Sequence, residues 1–65
     1  MGRIHSSRDI IRLLESDGWY KVRVTGSHHH FRHIMKKGIV TVPHPKKAIG
    51  KGLFNSILKQ AKLKG

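Results

Sequence analysis

Apolar and polar positions alternate with two different periods along this chain. Near the start, Ile10, Leu13 and Leu14 recur at helical spacing with Ile11 on the edge of their face, while Arg8, Arg12 and Glu15 fall opposite. Ser6-Ser7-Arg8-Asp9 has the form of a capping box, in which the Ser6 hydroxyl accepts a first-turn N–H and Asp9 reaches back. Gly18 offers a left-handed stop, so the pattern predicts a helix to about Ser16. From Trp19 the period becomes two. Gly26-Ser27 suits a two-residue type II′ turn, since Gly at its first position accepts a positive φ. That turn pairs Thr25 with His28, Val24 with His29, Arg23 with His30 and Val22 with Phe31. Val22, Val24 and Phe31 then face a core, and Lys21, Arg23, Thr25, His28, His30 and Arg32 face outward. A second two-residue loop at Lys37-Gly38 pairs Met35 with Val40 and His33 with Val42, which brings Val40 and Val42 to the side of Phe31. His29 and His33 fall on the inner side as packed, core-edge residues.

Pro43 ends a third strand, Ile39 to Pro43, or confines it to an edge. Pro43-His44-Pro45 stays extended, and Lys46 to Gly52 reads as a basic loop. Helical spacing returns from about Gly50 to Lys62, with Leu53, Ile57 and Ala61 on one face, Phe54 and Leu58 beside them, and Lys51, Asn55, Lys59 and Lys62 opposite. No capping side chain opens this helix, while Lys62 and Lys64 suit its C-terminal dipole. Met1 to His5 reads as a loose lead-in. The order α-β-β-β-α predicts an α+β two-layer sandwich: a three-stranded antiparallel sheet with both helices on one face and the other face bare. Trp19 belongs to the core, and Tyr20 is expected at the core edge rather than stacked on a base.

Sixty-five residues make a single domain, 1–65, with no cysteine to supply a disulfide or a thiolate metal site. No stretch approaches the roughly 20 apolar residues of a membrane span, and no signal peptide is visible. These features point to a cytoplasmic protein. Charge adds more. The net charge is +11, and Asp9, Glu15 and Asp17 are the only acids, so the 48 residues from Gly18 onward hold eleven Lys/Arg and no carboxylate. One-signed charge on that scale favours a polyanionic partner, nucleic acid first, over a merely solubilising surface.

The hairpin sets imidazoles and cations on its open face, which suits chemistry on an anion; on the residues alone, an exposed turn histidine with no task describes His28 equally well. RNA cleavage without a metal needs a base for the 2′-hydroxyl, an acid for the leaving 5′-oxygen, and cations for the phosphorane charge. Histidine suits the first two tasks. His28 lies at the turn and faces outward among cations, beside Thr25. His30, about 7 Å further along the same face, is the first candidate for a second group, and a lysine the next. Lys21, Arg23, Arg32 and Lys36 are candidate phosphate contacts. Lys46, Lys47 and Lys51 precede a helix N-terminus, itself favourable to anions, and are further RNA contacts. A zinc site of His28, His30 and His44 is the rival reading. It lacks cysteine and an outward strand carboxylate, so neither metal nor other cofactor is expected.

The capped first helix, Gly26-Ser27-His28-His29-His30-Phe31-Arg32-His33, Ile39-Val40-Thr41-Val42-Pro43-His44-Pro45 and the closing Leu53 to Leu63 with Ser56-Ile57-Leu58-Lys59-Gln60-Ala61 together resemble the HicA family. The likeness runs from about Ser7 to Leu63. It implies a fold similar to double-stranded RNA-binding domains and the activity of an mRNA interferase from a bacterial type II toxin–antitoxin pair. It also implies inhibition by a HicB antitoxin, here expected to cover the His28 face. The family's catalytic histidine follows Gly-Ser, which is His28 in this chain. The resemblance assigns no role to His29, His30, His33 or His44. The competing reading is a nucleic-acid-binding module without chemistry.

Overall fold

The structure, a computed structural model, describes residues 5–63. The expected lead-in over residues 1–4 and the position of Lys64 lie outside them. Helix α1 (Ser7–Ser16) leads into strands β1 (Trp19–Thr25), β2 (His28–His33) and β3 (Val40–Pro43), and helix α2 (Lys51–Gln60) closes the fold. The strands form one antiparallel sheet in the order β1-β2-β3. Ile10 and Leu14 from α1 and Ile57 from α2 meet Trp19, Phe31, Val40, Val42, Ile49 and Ala61 in one buried cluster. Both helices therefore cover the same sheet face, as the pattern predicts. The molecule is 17 Å through its thinnest dimension, the depth of two layers.

The first helix starts and stops where the sequence signals it. Ser6 Oγ accepts from Asp9 N–H, and Asp9 Oδ2 accepts from Ser6 N–H. Gly18 takes φ +102 after the helix. The stripe is narrower than its spacing implies: Leu13 is 40% exposed, and Ile11 takes the second flank instead. Helix α2 begins on Gly50 with no capping side chain, and Leu53 is likewise 39% exposed. It ends in a Schellman arrangement, with Leu63 N–H donating to Leu58 O and Lys62 at φ 57. His5 is not a loose lead-in. It forms a β-bridge with Ile49 and stacks on Phe54 at 4.2 Å. Ile49, expected in a solvated loop, is thereby drawn into the core.

Two registers depart from expectation. The Gly26-Ser27 turn pairs Thr25, Val24 and Arg23 with His28, His29 and His30 as predicted, but then Lys21 rather than Val22 faces Phe31. The cause is at the other end of β1. Trp19 is buried opposite His33, so the inner side is fixed at both ends of a seven-residue strand facing six residues. The odd residue is extruded as a bulge at Val22. Val22 and Val24 accordingly stay about half exposed and leave the core to Trp19 and Phe31. Between β2 and β3, Phe31 faces Val40 and His29 faces Val42, a slip of four residues from the expected pairing. Four is even, so every side chain keeps its predicted face. The wider 34–39 loop arises because β2 halts at His33, whose Nδ1 accepts from the N–H groups of Met35 and Lys36.

Candidate active site

The hairpin turn is built as its residues require. Gly26 sits at φ +59 while Ser27 has no positive φ, the signature of a type II′ turn. His28 opens β2 directly after it and is exposed. Its cross-strand neighbours are Thr25 on β1 and Pro43 on β3. The turn is also held from the β3 side, where His44 N–H donates to Ser27 O at 2.7 Å.

Cross-strand partners share a face, which fixes the outward surface of the sheet. His28 and Thr25 lie at its turn end, His30 and Arg23 form the middle rung, and Arg32 and Tyr20 the last. His30 is partly buried, with Nδ1 3.0 Å from Thr41 Oγ1 on β3. Tyr20 is 47% exposed beside Arg32 rather than packed at the core edge. No helix covers this face, so it presents imidazoles, guanidinium groups and one phenol to solvent.

The remaining predicted cations fall elsewhere. Lys21 pairs with Phe31, on the helix-covered side, a correction forced by the Val22 bulge. It lines a small depression with Ile11, Glu15, His29, Phe31 and His44. Lys36 folds back to donate to Asp17 Oδ2 and to Ala61 O. That contact, ahead of any other cause, holds the Asp17 carboxyl below its ordinary value. Lys46 and Lys47 are exposed and line a groove of about 460 Å3 with Ser6, Ser7, Arg8, His44 and Pro45, and Lys51 is exposed at the first position of α2. Arg8 is the cation sequence reasoning overlooks. Its outward place on α1 is legible, but its convergence with the 45–47 segment depends on a tertiary contact.

That contact is made by Ser7, 1% exposed at the start of α1. Its N–H donates to Lys46 O at 2.8 Å, its Oγ accepts from Lys46 N–H at 2.9 Å, and its Oγ lies 2.6 Å from His44 Nδ1. The Ser7 hydroxyl thus joins the Lys46 backbone to the His44 ring, and the imidazole tautomer sets which of Oγ and Nδ1 donates. The His44 ring meets that of His29 edge-on at 4.9 Å. Burial first, and then His44, Lys21 and His30, disfavour a charged His29 and push its pKa below the usual value. His33 is packed as expected, edge-on to Trp19 with Nε2 donating to Asp17 O. Among the described residues, no three His, Asp or Glu side chains converge so as to hold a metal ion, and no helix is long and apolar enough to cross a membrane.

The family described as HicA toxin of bacterial toxin–antitoxin matches residues 7–63, from the first residue of α1 to the end of the described chain. The chain belongs to the HicA toxin family. No curated protein sequence matches it significantly. The HicA match takes in every element of the fold, including the Gly26-Ser27-His28 turn and the Pro43-His44-Pro45 segment beside it. Membership makes this protein the toxin of a toxin–antitoxin pair, with an antitoxin for a partner. HicA toxins are generally ribonucleases.

Proposed function

We propose that this HicA toxin is an mRNA-cleaving endoribonuclease that uses His28 as its acid/base and needs no metal. The observation that carries the reading is the exposed imidazole of His28 at the head of an outward face that bears Arg23, His30 and Arg32. In the reaction, the ribose 2′-oxygen attacks the adjacent phosphorus, the P–O5′ bond breaks, and a 2′,3′-cyclic phosphate and a 5′-hydroxyl result. One proton leaves the 2′-hydroxyl to a base, and one reaches the 5′-oxygen from an acid. His28 takes one of these roles. His30, two residues along and so about 7 Å away, is the first candidate for the other. Arg23 and Arg32 balance the phosphorane charge, while Lys46, Lys47 and Lys51 hold flanking phosphates. Lys21, on the helix-covered side, and Lys36, held by Asp17, are left out of that set.

The partner is a HicB-type antitoxin, acidic where it meets the toxin, that covers the outward face around His28 and blocks RNA by occupancy. Such masking predicts that His28 loses solvent access in the complex. An accessible His28 there would rule it out.

The deciding experiment is His28→Ala on a defined RNA with end-group analysis. The variant is expected to lose about 10²- to 10⁴-fold in cleavage rate while keeping its fold and much of its RNA affinity. The unmodified protein should cut in the presence of chelator and leave 2′,3′-cyclic phosphate or 3′-phosphate ends. A wild-type rate in His28→Ala would end the catalytic assignment. Loss of activity in chelator, or 3′-hydroxyl products, would end the metal-free one. RNA left intact by clean, folded protein would favour a binding module.

A further inference from the structure

The Pro43-His44-Pro45 segment has no part in the chemistry proposed above, yet it touches the candidate turn from one side and α1 from the other. His44 is the shared node. Its backbone N–H holds Ser27 O at 2.7 Å, one residue before His28, and His28 itself pairs with Pro43. Its Nδ1 lies 2.6 Å from Oγ of Ser7, and Ser7 is fixed in turn by two further hydrogen bonds to Lys46. Ser7 is the sole polar residue counted as buried among the described residues. A buried hydroxyl costs stability unless it is fully partnered. An alanine would fill the same space without that cost, but it would leave the His44 ring and the Lys46 N–H without their shared partner.

We propose that His44 is a positioning residue for the catalytic turn. The Ser7 hydroxyl fixes the His44 ring, the ring fixes the Pro43–Lys46 arm, and the arm's His44 N–H fixes the Ser27 carbonyl and with it the aim of His28. The T-shaped contact with His29 supports the same ring from the strand side. Neither Ser7 nor His44 touches the reacting atoms. The inference rests on the reading of His28 as the catalytic group.

The test compares Ser7→Ala, His44→Ala, His44→Asn and His44→Gln with the unmodified protein and with His28→Ala, each at a temperature where circular dichroism reports it folded. Ser7→Ala and His44→Ala should lower kcat about 10- to 100-fold with KM nearly constant, because a small misplacement acts on the chemical step alone. His44→Asn sets an amide group, able to donate or accept, where Nδ1 stands and should recover most of the loss, whereas His44→Gln reaches past it and should not. Unchanged kcat in Ser7→Ala and His44→Ala, or no advantage of Asn over Gln, overturns the proposal. A measurement on the unmodified protein does not depend on variants folding. The His44 amide should resist hydrogen exchange, because its N–H is held by Ser27 O. Exchange at the rate of a free loop overturns it too. Full activity in His28→Ala would instead defeat the catalytic assignment, while full activity in His44→Ala beside an inert His28→Ala defeats only the positioning role.

Discussion

Gly18 meets two demands that no other residue type satisfies together. Its φ of +102 lies in the left-handed region, and a Cβ there would stand 2.7 Å from His33 Nε2. The imidazole has nowhere to retreat. Its Nε2 donates to Asp17 O, its Nδ1 accepts from Met35 and Lys36, and Trp19 packs against its ring. Gly18→Ala should therefore cost about 1–3 kcal/mol from backbone strain alone, with the displaced histidine adding to it. Urea denaturation measures this, and a loss within a few tenths of a kcal/mol would show that His33 gives way freely. The stop signal of Gly18 was legible in the sequence, because a glycine after an amphipathic run has few other uses. The contact with His33 was not, since it joins residues fifteen positions apart across a hairpin whose far end is shifted in register by the Val22 bulge.

Strand β2 shows how much a period-two pattern conveys. Which residues face the helices and which face solvent was readable from alternation, and the Gly26-Ser27 turn fixed the register next to it. The bulge at Val22 was not readable, because it reconciles the turn with the burial of Trp19, and neither signal alone calls for it. The four-residue slip against β3 was hidden for a related reason: Lys37-Gly38 looks like a tight turn, but His33 and Lys36 are spent on other partners. The inward face of β2 also sets a pH response. Burial, His44, Lys21 and His30 lower the pKa of His29 from its ordinary 6.5. Folding thus favours neutral His29, the unfolded chain binds the extra proton, and stability is complete above the unfolded pKa and declines as pH falls below it. Chemical denaturation at pH 7.5 and pH 5.5 should show this loss, with a smaller loss in His29→Gln. Equal slopes in the two proteins would show that His29 carries none of the linkage. Asp17, lowered from 3.8 by Lys36, acts in a separate and more acidic range.

At the scale of the whole molecule, charge decides what the surface attracts. Three carboxylates against 14 Lys/Arg leave a net charge of +11, and two of the three are engaged, Asp9 in its capping box and Asp17 with Lys36. The free cations are not spread evenly. Arg23 and Arg32 stand on the bare sheet face, and Arg8, Lys46 and Lys47 gather at the groove beside the Ser27 carbonyl's partner, His44. A single strand of RNA running from one set to the other passes His28. Each phosphate so neutralised contributes about −0.7 to the slope of log affinity against log salt. The double variant Lys46→Gln/Lys47→Gln should then flatten the slope by about 1.4 and weaken binding for all sequences alike. Lys36→Gln has the same loss of formal charge per site, but its amine is held by Asp17 and the end of α2. It should leave the slope unchanged and lower the melting temperature instead. If Lys36→Gln flattened the slope as much as either groove lysine does, net charge rather than the placement of these cations would govern RNA binding, and no defined track past His28 would be needed to account for it.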